Sequence, residues 1–292
     1  MRRPRVLITA FVLIAAALVV GVTLPEHPTA LGRGVPVATP TQTPVERAGA
    51  APPTGKTGKK AQNSLFSAGP VDVDAGGYLG WAWLDRSTGE ITTSGDPAAT
   101  STTASMIKPW LVSDYLRSAA EAGITPDDDT MHQLSIAIRD SDNDAATMAF
   151  RADGGTESLD RLIRTCGLTD SHPTPGEWSH TYVSPRDAVR MGECIADGRA
   201  AGPTWTAWVL NEMRHVRGES RFGIVDALPS AEATAVAIKN GYLVRDEDGL
   251  WHVSCLAIGG DWVLAVLMRY PAELGFAHGQ NVCREVTAQL LG

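Results

Sequence analysis

Four side chains in this sequence are of the kinds that carry out acyl transfer: Ser105, Lys108, Ser141 and Lys239. Ser105 and Lys108 stand three apart at the head of an apolar-periodic run, a spacing that puts both on one face of a helix. A desolvated lysine with a lowered pKa can take a proton from a neighbouring hydroxyl and make it nucleophilic. Unpaired N–H groups at a helix start favour negative charge developing beside that hydroxyl. Taken alone, Ser-x-x-Lys is a common surface pattern in which a serine caps and a lysine snorkels. Its weight comes from Ser141-Asp142-Asn143 and Lys239-Asn240-Gly241, which follow in that order.

The elements that must position these residues can be read from patterning. Tyr78 to Leu84 and Glu90 to Thr93 read as a hairpin around the Arg86–Gly89 turn. Helices are predicted from Ser105 to Ala122, Met131 to Ile138, Asn143 to Ala152 and from a Thr156 cap to Gly167. Ser184-Pro185 starts another, ending near Asp197, and Gly202 to Val216 forms the next. The period then changes. Ala233 to Lys239, Gly249 to Ile258 and Trp262 to Tyr270 read as antiparallel strands, and a helix from Gln280 to Leu291 closes the chain.

Three motifs in this order, on these elements, resemble the active-site-serine penicillin-recognising family, especially class A β-lactamases and their penicillin-binding relatives. The resemblance implies an α/β fold of the β-lactamase/transpeptidase type: an antiparallel sheet flanked by helices, with a trimmed all-helical lobe. It implies Ser105 as nucleophile, Lys108 as its base, and Ser141 as proton donor to the leaving nitrogen, bridging Lys108 and Lys239. Asn143 is expected to bind a substrate amide and Lys239 a substrate carboxylate. Gly241 lets substrate lie close, and the Ser105 and Tyr242 N–H groups form the oxyanion hole. The family usually has Thr or Ser where this chain has Asn240, which is expected to supply the same hydrogen bond with different reach. The glutamate that holds a deacylating water has one counterpart, Glu177; a surface-loop glutamate is the alternative reading, because the segment is short and no Leu-Asn follows. No metal site and no cofactor is expected.

The implied activity is an extracytoplasmic serine hydrolase, acylated at Ser105 by a β-lactam or related amide and deacylated by water. The alternatives are a D,D-peptidase acting on peptidoglycan stem peptides, or a non-hydrolysing module that binds a β-lactam or cell-wall peptide. A net charge of −8, with no basic stripe, argues against nucleic acid as partner. A monomer is expected. Residues 1–24 carry arginines and then an uncharged run from Val6 to Leu24, longer than the roughly 7–15-residue core of a signal peptide. They read as a signal anchor or a signal peptide, the anchor giving a membrane attachment. Residues 25–64, rich in Pro, Thr and Ala, read as a linker, and residues 65–292 as the hydrolase domain. Outside the cytoplasm the four cysteines allow three disulfide connectivities. The helices and strand that carry them favour Cys166–Cys194 with Cys255–Cys283, free buried thiols being the alternative.

Overall fold

A computed structural model describes residues 65–67 and 69–291. The signal or anchor segment and the linker lie outside the described residues. Among the described residues, no helix is long and apolar enough to cross a membrane.

The strands are β1 (Tyr78–Asp85), β2 (Ile91–Thr93), β3 (Ser101–Thr102), β4 (His172–Thr174), β5 (Glu177–Val183), β6 (Ala237–Val244), β7 (Leu250–Ile258) and β8 (Trp262–Pro271). The helices before β4 are α1 (Lys108–Glu121), α2 (Asp128–Arg139), α3 (Asn143–Ala152) and α4 (Thr156–Cys166). After β5 come α5 (Pro185–Ala196), α6 (Gly202–Arg214), α7 (Ile224–Ala227), α8 (Ser230–Ala235) and, last, α9 (Phe276–Leu291). Strands β2-β1-β8-β7-β6 form one antiparallel sheet, so the N-terminal hairpin and the C-terminal strands share it. This is the expected α/β arrangement.

The inner strands β7 and β8 are buried almost throughout, as expected of a sheet covered on both faces. Helix α5 packs so closely on the sheet that a Cβ at Gly192 would meet Val263 Cγ1 at 2.6 Å. Each Leu, Val or Ile fully buried in this layer contributes about 1.5–3 kcal/mol. Disulfides Cys166–Cys194 and Cys255–Cys283 tie α4 to α5 and β7 to α9, the pairing expected from the sequence.

Local signals explain most helix ends. Ser184 Oγ accepts from Asp187 N with Pro185 in the first turn, and Gly167 ends α4 in the left-handed region at φ 65°. Three expectations are corrected. Ser105 lies on a 3-10 turn, Ala104–Ile107, and α1 begins only at Lys108. The strand placed at Ala233 begins at Ala237, because Ser230–Ala235 is an alanine-rich helical turn whose short apolar run has no decisive period. Thr156 does not cap α4; its Oγ1 accepts from Gly176 N. That bond anchors a hairpin of β4 and β5, which pairs with β3 to make a second, three-stranded sheet.

Candidate active site

The 3-10 turn carrying Ser105 is wedged between β5 and β6. A Cβ at Gly241 would meet Thr103 O at 2.3 Å and the N atoms of Ser105 and Met106 at 2.6 Å. Only glycine lets the strand approach so closely, and the approach sets Tyr242 beside the turn. Among the described residues, the non-glycine residues with positive φ are Ala104 (43°) and Ser141 (60°). Such conformations cost of order 1–3 kcal/mol each and persist where the surroundings over-determine them. Here they flank the nucleophile and the hydroxyl expected to serve it.

Ser141 Oγ lies between two buried lysines. Lys239 Nζ donates to it at 2.9 Å and Lys108 Nζ at 3.2 Å. Lys108 also donates to Ser141 O and, at 2.7 Å, to Asn143 Oδ1. A hydroxyl has two lone pairs and one proton. With both lone pairs accepting from lysines, the Ser141 proton is free to point at a third partner. Helix α3 delivers this set: Asp142 caps it through Ala145 N, so Asn143 stands in its first turn, level with Lys108.

Burial pulls the Lys108 ammonium down to about 7, against an upward pull from Asp142. Lys239 is fully buried and lies well below the usual lysine range, first through desolvation and then through the charge of Lys108. Two ammonium groups this close disfavour each other, so near neutrality one of them gives up its proton. Ser105 itself is partly exposed. The Lys108 N–H groups are directed to Ser141 and Asn143, and no hydrogen bond joins Lys108 to Ser105; catalytic contacts of this kind commonly tighten only in the substrate complex.

Ser105, Asn143 and Tyr242 form a saddle between two cavities. One, of about 510 Å³, is lined also by Thr147, Arg151, Glu177 and His180. The other, of about 310 Å³, is lined also by Ser141, Arg217, Glu219 and Ser220. The structure thus brings Ser105, Ser141, Asn143, Glu177 and Tyr242 to one cleft, with Lys108 and Lys239 reaching it through Ser141.

Asn240 departs from the expectation. Adjacent strand residues face opposite sides, so with Lys239 turned to Ser141, Asn240 turns away. Its Nδ2 donates to Ser220 O at 3.1 Å and Phe222 O at 2.8 Å, and the residue is 1% exposed. Both amide protons tie the 220–222 segment to β6, leaving none for a substrate carboxylate. Glu177 opens β5 instead of sitting on a loop. Its carboxylate is paired with His180 Nδ1 and is 55% exposed. Trp178, to which sequence reasoning gave no role, faces Lys108 with its ring centroid 5.1 Å from Nζ, and its Nε1 donates to Thr147 Oγ1 at 3.2 Å. The i, i+4 spacing of Asn143 and Thr147 was the available signal that α3 presents both to one cleft.

Comparison with known proteins agrees with this geometry. A sequence model of the beta-lactamase enzyme family (Beta-lactamase2) matches residues 130–291, more than half of the chain. The chain belongs to that family. Its curated relatives include proteins described as "Putative lipoprotein LppW" from Mycobacterium tuberculosis and Mycobacterium bovis, 29% identical over 208 residues. That match covers 68% of this chain and 65% of theirs, so the chain spans just under two thirds of the relatives' length. Among solved structures, the TLA-1 extended-spectrum β-lactamase superposes with a TM-score of 0.62 at 15% identity, over 75% of this chain and 95% of that one. A β-lactamase from Chitinophaga pinensis gives 0.62 at 16%, over 74% and 93%. An ancestral (GNCA) class A β-lactamase gives 0.56 at 18%, over 74% and 94%. At these identities the likeness shows the fold.

Proposed function

We propose that this protein is an extracytoplasmic serine hydrolase that forms an acyl-enzyme at Ser105 with a β-lactam or a related amide. The observation that carries the reading is Ser141 Oγ held by Lys108 and Lys239 beside Ser105. Ser105 Oγ attacks the carbonyl carbon while its proton passes to neutral Lys108. Oxygen charge develops against the N–H groups of Ser105 and Tyr242. The C–N bond breaks as Ser141 gives its proton to the departing nitrogen, and Ser141 is reprotonated from the lysines. Water then cleaves the ester. The exposed edge of β6 offers backbone groups along which an extended substrate can align. Two disulfides suit an oxidising compartment, and the lipoprotein description of the mycobacterial relatives suits attachment outside the cytoplasm.

A second reading, a D,D-peptidase or cell-wall-peptide sensor whose adduct persists, is favoured by what surrounds Lys108. An indole faces it where a deacylating carboxylate would serve, and Glu177 is engaged by His180. A chromogenic cephalosporin, followed by intact mass and by turnover, separates the readings. Rapid release that falls by about 10²–10⁴-fold in Glu177→Gln, with adduct accumulating, identifies a β-lactamase using Glu177 as base. A stable adduct on Ser105, unaffected by that substitution, identifies the peptidase or sensor. No adduct at all refutes acyl-enzyme chemistry.

A further inference from the structure

The two cavities beside Ser105 differ in charge. In the larger, α3 presents Asn143, Thr147 and Arg151 at i, i+4 and i+8, one face of the helix. Arg151 is exposed and has no ion-pair or hydrogen-bond partner among the described residues. Its place in the last turn suits the helix dipole, but that leaves its donors unspent. The other charged groups on this cavity, Glu177 and His180, are paired with each other. In the smaller cavity the arrangement is reversed. Arg217 is held bidentately by Asp140, with Nη2–Oδ2 at 2.8 Å, while Glu219 is exposed and unpaired.

The chemistry of the site fixes which part of a substrate occupies each cavity. The departing nitrogen must come within hydrogen-bond reach of Ser141 Oγ, which lines the smaller cavity. The acyl portion therefore lies in the larger one, along α3. We infer that the acyl donor carries a carboxylate on its acyl side, bound in the larger cavity by the free Arg151 guanidinium. The inference rests on the proposed acylation of Ser105 and names its substrate class. A guanidinium presents paired N–H donors that match a carboxylate. Glu219, across the saddle, repels the same carboxylate from the other cavity, so the charge pair also sets the direction in which substrate lies.

The test uses the full-length chain and two penicillins that differ by one carboxylate on the acyl side chain, carbenicillin and benzylpenicillin. The second-order rate of Ser105 acylation is followed by intact mass, and the carbenicillin-to-benzylpenicillin ratio is the readout. An exposed ion pair with good fork geometry supports a change of about 5-fold. The ratio is expected to drop by about that factor in Arg151→Gln, to drop further in Arg151→Glu, and to be largely kept in Arg151→Lys. In the native sequence it should shrink as salt is raised. A ratio that stays the same in Arg151→Gln and Arg151→Glu overturns the inference while leaving acylation intact. Failure of both penicillins to modify Ser105 overturns the proposed function, and this inference with it.

Discussion

If Lys108 is the base that activates Ser105, acylation must follow the fraction of Lys108 that is neutral. With its ammonium near 7, the rate should rise about tenfold per pH unit on the acid side and level off above about pH 7. Such a limb alone does not say which lysine titrates, because Lys108 and Lys239 share Ser141 and titrate as a pair. Asp142 separates them, since it pulls on Lys108 and does not figure among the groups acting on Lys239. Asp142→Asn removes the anion and keeps an N-cap able to accept from Ala145 N, so α3 should hold its place. At an effective dielectric of about 20, a unit charge about 8 Å away is worth about 2 kcal/mol, an upper bound of about 1.5 pKa units. Screening by solvent at the cleft brings the expected change to about 0.5–1 unit, and losing an attractive anion moves the limb to lower pH. The assay is the acylation rate of a reporter β-lactam from pH 4.5 to 9, by stopped flow, in both proteins. A limb that stays put, or moves upward, would remove Lys108 from the role of base. The same depression affects stability. Between about pH 7 and the ordinary lysine range the unfolded chain binds more protons than the native one, so stability rises with pH through that window.

Two other outcomes test the architecture. Gly241→Ala places a methyl group against Thr103 O and the Ser105 and Met106 nitrogens, backbone atoms that cannot swing aside. It should lower acylation by about 10²-fold, the loss typical of a spoiled oxyanion hole, and destabilise by about 1–3 kcal/mol; unchanged single-turnover rates would show that β6 does not build the hole. Each disulfide spans 28 residues, for which loop-closure entropy gives about 3–4 kcal/mol. Replacing Cys255 and Cys283 by serine should therefore lower the denaturant midpoint substantially, and a midpoint that did not fall would show that α9 is held by its packing alone.

The chemistry was more legible in the sequence than the geometry that delivers it. Ser105, Lys108, Ser141 and Lys239 could be named because acyl transfer admits few residue types. The cysteine pairs followed from which elements carry them. The direction of Asn240 was also within reach: once Lys239 is assigned to the cleft, strand alternation turns its neighbour away. What stayed hidden depends on contacts distant in sequence. Ala104 at φ 43° is held by the approach of β6 more than a hundred residues later, and nothing local announces it. Pro175-Gly176 did mark a turn between β-prone residues, yet the resemblance to a loop-bearing family outweighed that signal. The hairpin that resulted carries both Glu177 and Trp178.

That hairpin decides what the site does after acylation. In extended backbone, neighbouring side chains turn to opposite faces, so Glu177 and Trp178 cannot both address Lys108. The register of β5 is pinned at both ends: Ser101 pairs with Val183 and Thr102 with Tyr182, while Gly176 N is bound by Thr156 Oγ1. A slip of one residue would exchange the two side chains, but it would also break those contacts and turn Val183, fully buried, toward solvent. The indole, once against Lys108, is steadied by Thr147 on the same helix that presents Asn143. It covers apolar surface beside a lysine already lowered by desolvation, and every water it displaces deepens that desolvation. The feature that makes Lys108 a better base for Ser105 is therefore the one that withholds an ordered, carboxylate-bound water from the ester. Fast acylation and slow release follow from one side chain.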